Sequence, residues 1–199
     1  NTNFNLNYRF ADTSGRELNI DADYGYFKIH SNQMQRNYYF EPSGDPIDER
    51  IYNFIAPTDI NIFSLKADYE QNVKGGRLGF GGKSSLVRTQ NDFDRYDVIG
   101  NTKSYDSTRS NGFDYLENIN ALYVNYNKQF KNVMIQFGVR MEQTMSEGTS
   151  NGFEYVGNGT GSFEPTSEKF RRNYVNLFPS GAITFNKNPE SQWGLRYSR

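Results

Sequence analysis

Cysteine is absent from the 199 residues, which excludes disulfides and thiolate metal sites. Histidine occurs once, at His30, and proline only 6 times. No stretch approaches the 18 consecutive apolar residues of a transmembrane helix, so only strands could carry this chain across a bilayer. Charge of one sign is also missing. Lys and Arg total 22 against 23 Asp and Glu, a net charge of −1, which leaves no basic footprint for nucleic acid and no acidic tail. Hydrophobic residues make up only 35 %, fewer than a soluble core usually draws on. A leader is not in evidence either: Asn1 opens directly on a strand-like pattern, so an exported protein of this sequence is expected to have more chain upstream.

What is plentiful is aromatic: 15 Tyr and 16 Phe, with abundant Asn and 18 Gly. That composition suits sheets with aromatic decoration and much polar connection. The clearest pattern lies in Tyr115 to Glu142, two long extended runs around a polar turn at Asn127–Asn132. In the second run Val133, Ile135, Phe137, Val139 and Met141 alternate with Met134, Gln136, Gly138, Arg140 and Glu142. That is period two, a strand with one apolar and one polar face. The first run is less clear, because Ile119, Ala121 and Tyr123 compete with Leu122, Val124 and Tyr126 for the apolar side. A bulge, or a contact on the second face, would account for it.

Similar runs recur along the chain. Phe4, Leu6, Tyr8 and Phe10 alternate with Asn3, Asn5, Asn7 and Arg9, and a second run carries Leu18, Ile20, Ala22, Tyr24 and Tyr26. A third, near Asn61–Glu70, sets Phe63, Leu65, Ala67 and Tyr69 against Ser64, Lys66, Asp68 and Glu70. Arg77 to Thr89 is a fourth, and Tyr174 to Phe185 with Gln192 to Arg199 a last hairpin. Tight turns near Gly15, Gly75, Gln129 and Asn188 recur about every 55–60 residues. Between them lie three aperiodic stretches that read as long loops: Ser31 to Pro57, Gln90 to Asn111 and Ser146 to Arg171.

Connections that long are uncommon in compact soluble domains. Short turns alternating with long loops are instead the pattern of outer-membrane barrels, with the long loops outside. Phe10, Tyr69, Tyr126, Phe130, Phe185 and Trp193 crowd the short-turn ends, where a lower aromatic girdle would sit. The expected fold is all-β: an antiparallel up-and-down meander of about eight long strands, part of a larger transmembrane β-barrel. With the first turn periplasmic, both chain ends would lie on the outer side, so residues 1–199 read as a partial barrel domain whose open edges need neighbours.

Four stretches resemble the outer-membrane β-barrel family of Bacteroidetes-type TonB-dependent receptors. They are Gly75–Tyr96, Phe113–Tyr126, Phe137–Thr144, and Tyr174–Ser180 followed by Gly194–Arg199. The Asn-Leu-Phe-Pro-Ser and Gly-x-Arg-x-Glu-x-Thr segments carry it most specifically. The resemblance implies a bacterial outer-membrane location, a barrel of about 22 strands filled by a plug, and energised uptake through TonB. It also implies outer-membrane lipid, the plug domain and TonB as partners, with a surface lipoprotein as a further one.

No chemistry motif is complete. Gly76 to Ser84 comes close to a phosphate loop, but Arg77 stands where glycine is needed and a strand-like run follows. His30 has no G-x-S-x-G elbow with it, so no catalytic residue is expected. Asp92, Asp94 and Asp97, and Asp45, Asp48 and Glu49, are acidic groups without calcium-loop spacing; they read as solvated loops, with no metal or cofactor. Asn158-Gly159-Thr160 fits a glycosylation acceptor without consequence in a bacterium. Lys66, Asp68, Glu70, Arg140 and Glu142 are expected to face the lumen and the plug. Tyr38, Tyr39, Tyr52, Phe93, Tyr96, Tyr105, Phe153 and Tyr155 are the loop aromatics, placed either to stack on a sugar or peptide or to fasten the loops together. The expected function is nutrient uptake by a TonB-dependent receptor; the alternatives are a soluble or surface β-sheet binding module, and a barrel enzyme using His30.

Overall fold

The computed structural model describes residues 1–157, 161–188 and 191–199. They form one antiparallel sheet: β1 (Thr2–Ala11), β2 (Glu17–Phe40), β3 (Pro46–Val73), β4 (Gly76–Ile99), β5 (Thr102–Tyr105), β6 (Asn111–Gln129), β7 (Val133–Val156), β8 (Ser162–Asn188) and β9 (Ser191–Ser198). Its order is β1-β2-β3-β4-β6-β7-β8-β9, with β5 pairing β4 alone. The meander is as expected, with eight strands on the main path.

The three long loops are not loops. β2 runs for 24 residues and β3 for 28, meeting at a tight turn where the Glu41 N–H donates to the Asp45 carbonyl. β4 and β7 also reach 24 residues and β8 reaches 27. The stretches 31–57, 90–111 and 146–171 are therefore mostly the upper parts of hairpins. Above a membrane both faces of a hairpin are wet, so apolar alternation fades while the strand continues. Pro46 opens β3, where no ladder donor is needed. Pro57 pairs with His30 on β2, but the β3–β4 ladder skips Ala56 and Pro57 between Ile55↔Asp94 and Thr58↔Asn91. The missing N–H is absorbed by that gap without a register shift.

At the opposite ends the turns are short. Lys74 and Gly75 both have positive φ (49° and 73°), the conformation a two-residue hairpin between β3 and β4 requires. In the β1–β2 turn one Asp12 carboxylate oxygen accepts from the Ser14 N–H and hydroxyl and from the Arg16 N–H. These bonds, the Ser14 hydroxyl first, hold the Asp12 carboxyl well below the usual carboxylate range.

Pairing fixes the faces. The row Phe10↔Leu18↔Tyr69↔Phe80↔Val124↔Val139 is apolar throughout, and Arg9↔Asn19↔Asp68↔Gly81↔Tyr123↔Arg140 lies on the other side. The ambiguity of β6 is thereby resolved: Leu122, Val124 and Tyr126 belong to the apolar face, and Ile119, Ala121 and Tyr123 to the polar one. β6 pairs with both neighbours without a register shift, so no bulge is present. Gly25, Ser64, Ala121, Thr144 and Ser146 are buried and all on the polar face, as expected where a curled sheet crowds its concave side. The apolar face is bare: Phe4 is 69 % exposed, Leu122 61 % and Trp193 74 %. Among the described residues Ala121 is the single buried hydrophobic side chain. A soluble sheet packs its apolar face into a core; here that core does not exist.

Candidate functional site

The inner face of the lower sheet carries a connected row of charges. Lys66 pairs with Asp68 at 2.5 Å, and Asp68 accepts from the Tyr123 hydroxyl at 2.5 Å. The Arg140 guanidinium lies 5.7 Å from the centre of the Tyr123 ring and pairs with Glu142 at 2.8 Å. Four of the five expected lumen residues thus form one chain from β3 to β7, and Tyr123 is the link that sequence reasoning missed. Glu70 stands apart, bound to Arg77, which also reaches Glu17 at 3.1 Å; Glu17 in turn holds Arg9 at 3.0 Å. These groups are half-exposed, and such pairs contribute only about 0–1 kcal/mol each. Their arrangement therefore matters more for what docks on them than for stability.

Glycine makes the row possible. Tyr123 starts on β6 and reaches β3 by lying across β4 at Gly81. A Cβ there would meet the Ala67 carbonyl at 2.6 Å, Asp68 Oδ1 at 2.7 Å and the Tyr123 ring at 2.8 Å. Asn125 lies over Gly79 in the same way, 2.8 Å from its virtual Cβ. The stretch that resembled a phosphate loop is thus a trough on β4, with no helix after it.

Higher on the inner face the rings gather. Phe54 stacks on Phe93 at 5.4 Å, Tyr52 lies 6.3 Å from Phe54, and the Arg95 guanidinium sits 4.1 Å over Tyr52. Phe113 and Tyr115 stack at 6.2 Å, and Phe170 lies 6.3 Å from Tyr115, its ring over Gly148. Of the expected ligand residues, Tyr39, Tyr52 and Phe93 fall on this face, Tyr39 beneath Arg50 at 5.4 Å. Tyr38, Tyr96, Tyr105, Phe153 and Tyr155 fall on the outer face, all but Tyr105 on long strands rather than irregular loops. Tyr96 and Tyr105 pair at 5.4 Å, as do Tyr155 and Phe163. Tyr105 and Phe153 share a cleft of about 420 Å³ with Asp92 and Asp94. Phe54, Phe113, Tyr115 and Phe170 lie on this face without having been among the expected residues, although counting in twos beyond the apolar band would have placed them there.

A short 3-10 turn, Ser107–Arg109, precedes β6; the Asp106 side chain accepts from the Thr108 hydroxyl at 2.6 Å, which lowers its pKa. His30 is exposed on the outer face opposite Pro57 and has no hydrogen-bond partner among the described residues. Asp97 points to the opposite face from Asp92 and Asp94, and no group of three or more potential metal ligands occurs among the described residues. The Asn158–Thr160 acceptor lies outside the described residues.

The model of the outer membrane protein beta-barrel family matches residues 9–199. No curated protein matches the chain. Among solved structures, the ferric yersiniabactin uptake receptor FyuA from Yersinia pestis superimposes with a TM-score of 0.63 at 12 % identity, over 98 % of this chain and 27 % of the receptor. The ferric citrate transporter FecA in its unliganded form gives a TM-score of 0.48 at 17 % identity, over 92 % of this chain and 26 % of that one. The chain therefore spans about a quarter of each of these structures, and at 12 % identity the likeness to FyuA is one of fold.

Proposed function

The chain belongs to the outer membrane protein beta-barrel family, and on that premise we propose that it is a segment of a TonB-dependent receptor that takes up a scarce nutrient through a plugged barrel. Its place is the bacterial outer membrane, with the apolar face in lipid. The observation that carries the proposal is the concave charge row Lys66–Asp68–Tyr123–Arg140–Glu142. Side chains that touch across four strands on a wet wall suit contact with a plug domain more than they suit stability.

The upper inner wall supports ligand capture. Tyr52, Phe54, Phe93, Phe113, Tyr115 and Phe170 offer flat apolar faces, and Arg95 and Arg50 lie over rings at their edge. Rings with hydrogen-bonding neighbours suit a sugar, peptide or chelate. In this reading residues 1–199 are a partial barrel, the remaining strands and the plug come from the rest of the protein, and the chain carries no catalysis. Barrels of this kind are assembled from antiparallel strands with no free edge, so β1 and β9 would each pair with a further strand.

The test uses the full-length protein. In a planar bilayer it is expected to be closed, and cells displaying it are expected to accumulate a radiolabelled iron chelate, oligosaccharide or cobalamin only when TonB is intact. An open channel, or uptake independent of TonB, would count against the reading.

A further inference from the structure

We propose that the cleft of about 420 Å³ between the β4–β5 and β7–β8 hairpins is a site for an organic cation, the ammonium or guanidinium group of a small amine or of a basic peptide side chain. The cleft lies where the wall divides. Up to Phe93↔Asn111, β4 pairs with β6, and up to Gly112↔Asn151, β6 pairs with β7. Beyond those rows β4 takes β5 as its partner, β5 pairs with β4 alone, and β7 runs on with β8 to Val156. Two hairpins therefore part above the first residues of β6. Asp92 and Asp94, which line the fork, lie past the Lys28↔Asp59↔Gln90 row, where both faces of the wall are wet. An occupant thus arrives from water, and the site does not depend on the transport reading. Its volume falls within the ~300–1,000 Å³ of ligand pockets.

Charge and shape select the ligand. Asp92 and Asp94 share one face of β4, and among the described residues no Lys, Arg or His lines the cleft. Alternate side chains on a strand stand about 7 Å apart, a gap that one guanidinium, or an ammonium between the two carboxylates, bridges. Asp94 is half-buried and has no hydrogen-bond or ion-pair partner among the described residues, whereas every other half-buried carboxylate among them has one. A carboxylate drawn partly out of water without a partner gains most from an arriving cation. Tyr105 and Phe153, 53 % and 39 % exposed, line the same cleft, and the faces of such rings attract organic cations as well. Glycine keeps the floor open: a Cβ on Gly112 would stand 3.0 Å from Asp92 Oδ1. Across the fork the Ser167 hydroxyl donates to Asn151 Oδ1 at 2.8 Å, which holds that amide in place. A hard divalent cation asks for about six oxygens, and no group of three potential metal ligands occurs among the described residues. A neutral sugar would stack on the rings but leave both charges unanswered.

The experiment is isothermal titration calorimetry of the full-length protein in detergent at low salt, with spermidine, a Gly-Lys-Gly peptide capped at both ends, and glucose as probes. The wild type is expected to bind at least one of the two cationic probes. Asp94→Asn removes the charge and no internal contact, and is expected to bind that probe about tenfold more weakly, the scale of one charge-assisted hydrogen bond. Because amines also meet carboxylates on the inner wall, the difference between wild type and Asp94→Asn assigns the site. Asp114→Asn, on the same outer face but outside the cleft and already held by Gln90 at 2.9 Å, is expected to bind as the wild type does. Binding of spermidine alone assigns the site to small amines, and binding of the peptide assigns it to a basic side chain. Equal affinity of wild type and Asp94→Asn for the cations, an equal loss in Asp114→Asn, or binding of glucose and of neither cation would overturn the proposal, as would no binding at all. Should Asp94→Asn lose heat-modifiable migration and so fail to fold, Asp92→Asn takes its place with the same expectation.

Discussion

Gly81 has no side chain because Tyr123 occupies the space. Valine there would place atoms within 2.8 Å of the tyrosine ring and two oxygens, so Gly81→Val is expected to destabilise the full-length barrel by about 1–3 kcal/mol, the usual cost of overpacking. The check is the temperature at which heat-modifiable migration is lost, which should fall. Tyr123→Phe keeps the ring and removes the bond to Asp68; the expected loss is about 1 kcal/mol, smaller than for the glycine variant. Asp12 acts at the other end of the chain's pH range. Its folded pKa is depressed, so its contribution is present above the unfolded carboxylate value and fades as pH falls through and below it. Amide exchange at Ser14 and Arg16 should show protection that declines below about pH 4, and Asp12→Ala should show little protection at any pH. At this scale the shared face of Lys66, Asp68, Arg140 and Glu142 was readable from parity, while their contact with a plug is the proposal made above. Tyr123 was not, because an aromatic residue suits lipid as well as a lumen and only its reach across Gly81 decides.

The strands show where alternation informs and where it stops. From Leu18 to Tyr26, or Val133 to Met141, one face meets lipid and the other water, so the pattern marks the strand. Past Lys28 on β2 or Gln143 on β7 both faces are wet, the pattern loses contrast, and 31–57 and 146–171 pass for loops although the hydrogen-bond ladder runs on. The band itself predicts an asymmetry within β6. Val124→Arg places a charge on the apolar face toward its lower edge and is expected to cost about 1–3 kcal/mol, between the interfacial and midplane values. Asn125→Arg, one residue on, faces the inner side and is expected to cost about 1 kcal/mol or less. Denaturant titration of the full-length protein folded into vesicles measures both, and equal costs would contradict the assigned faces.

Across the whole molecule the sheet is an open wall with a lipid side, a water side and a tall ringed rim. It lacks an interior of its own, as the exposed Phe4, Leu122 and Trp193 show, and bilayer contact replaces that interior. The barrel class was readable from turn spacing and aromatic girdle together, whereas the ring wall of Tyr52, Phe54, Phe93, Phe113, Tyr115 and Phe170 needed the register of β3 to β8. Residues 1–199 contain no cysteine, so with any cysteine elsewhere in the full-length protein replaced, the membrane assignment can be tested residue by residue. Single cysteines at positions 122 to 125 of the protein in outer-membrane vesicles, with its plug deleted so that the lumen is open, would be treated with a membrane-impermeant maleimide. Tyr123→Cys and Asn125→Cys are expected to label, and Leu122→Cys and Val124→Cys to resist until detergent is added. Uniform labelling of all four without detergent would contradict a lipid-facing wall and with it the account.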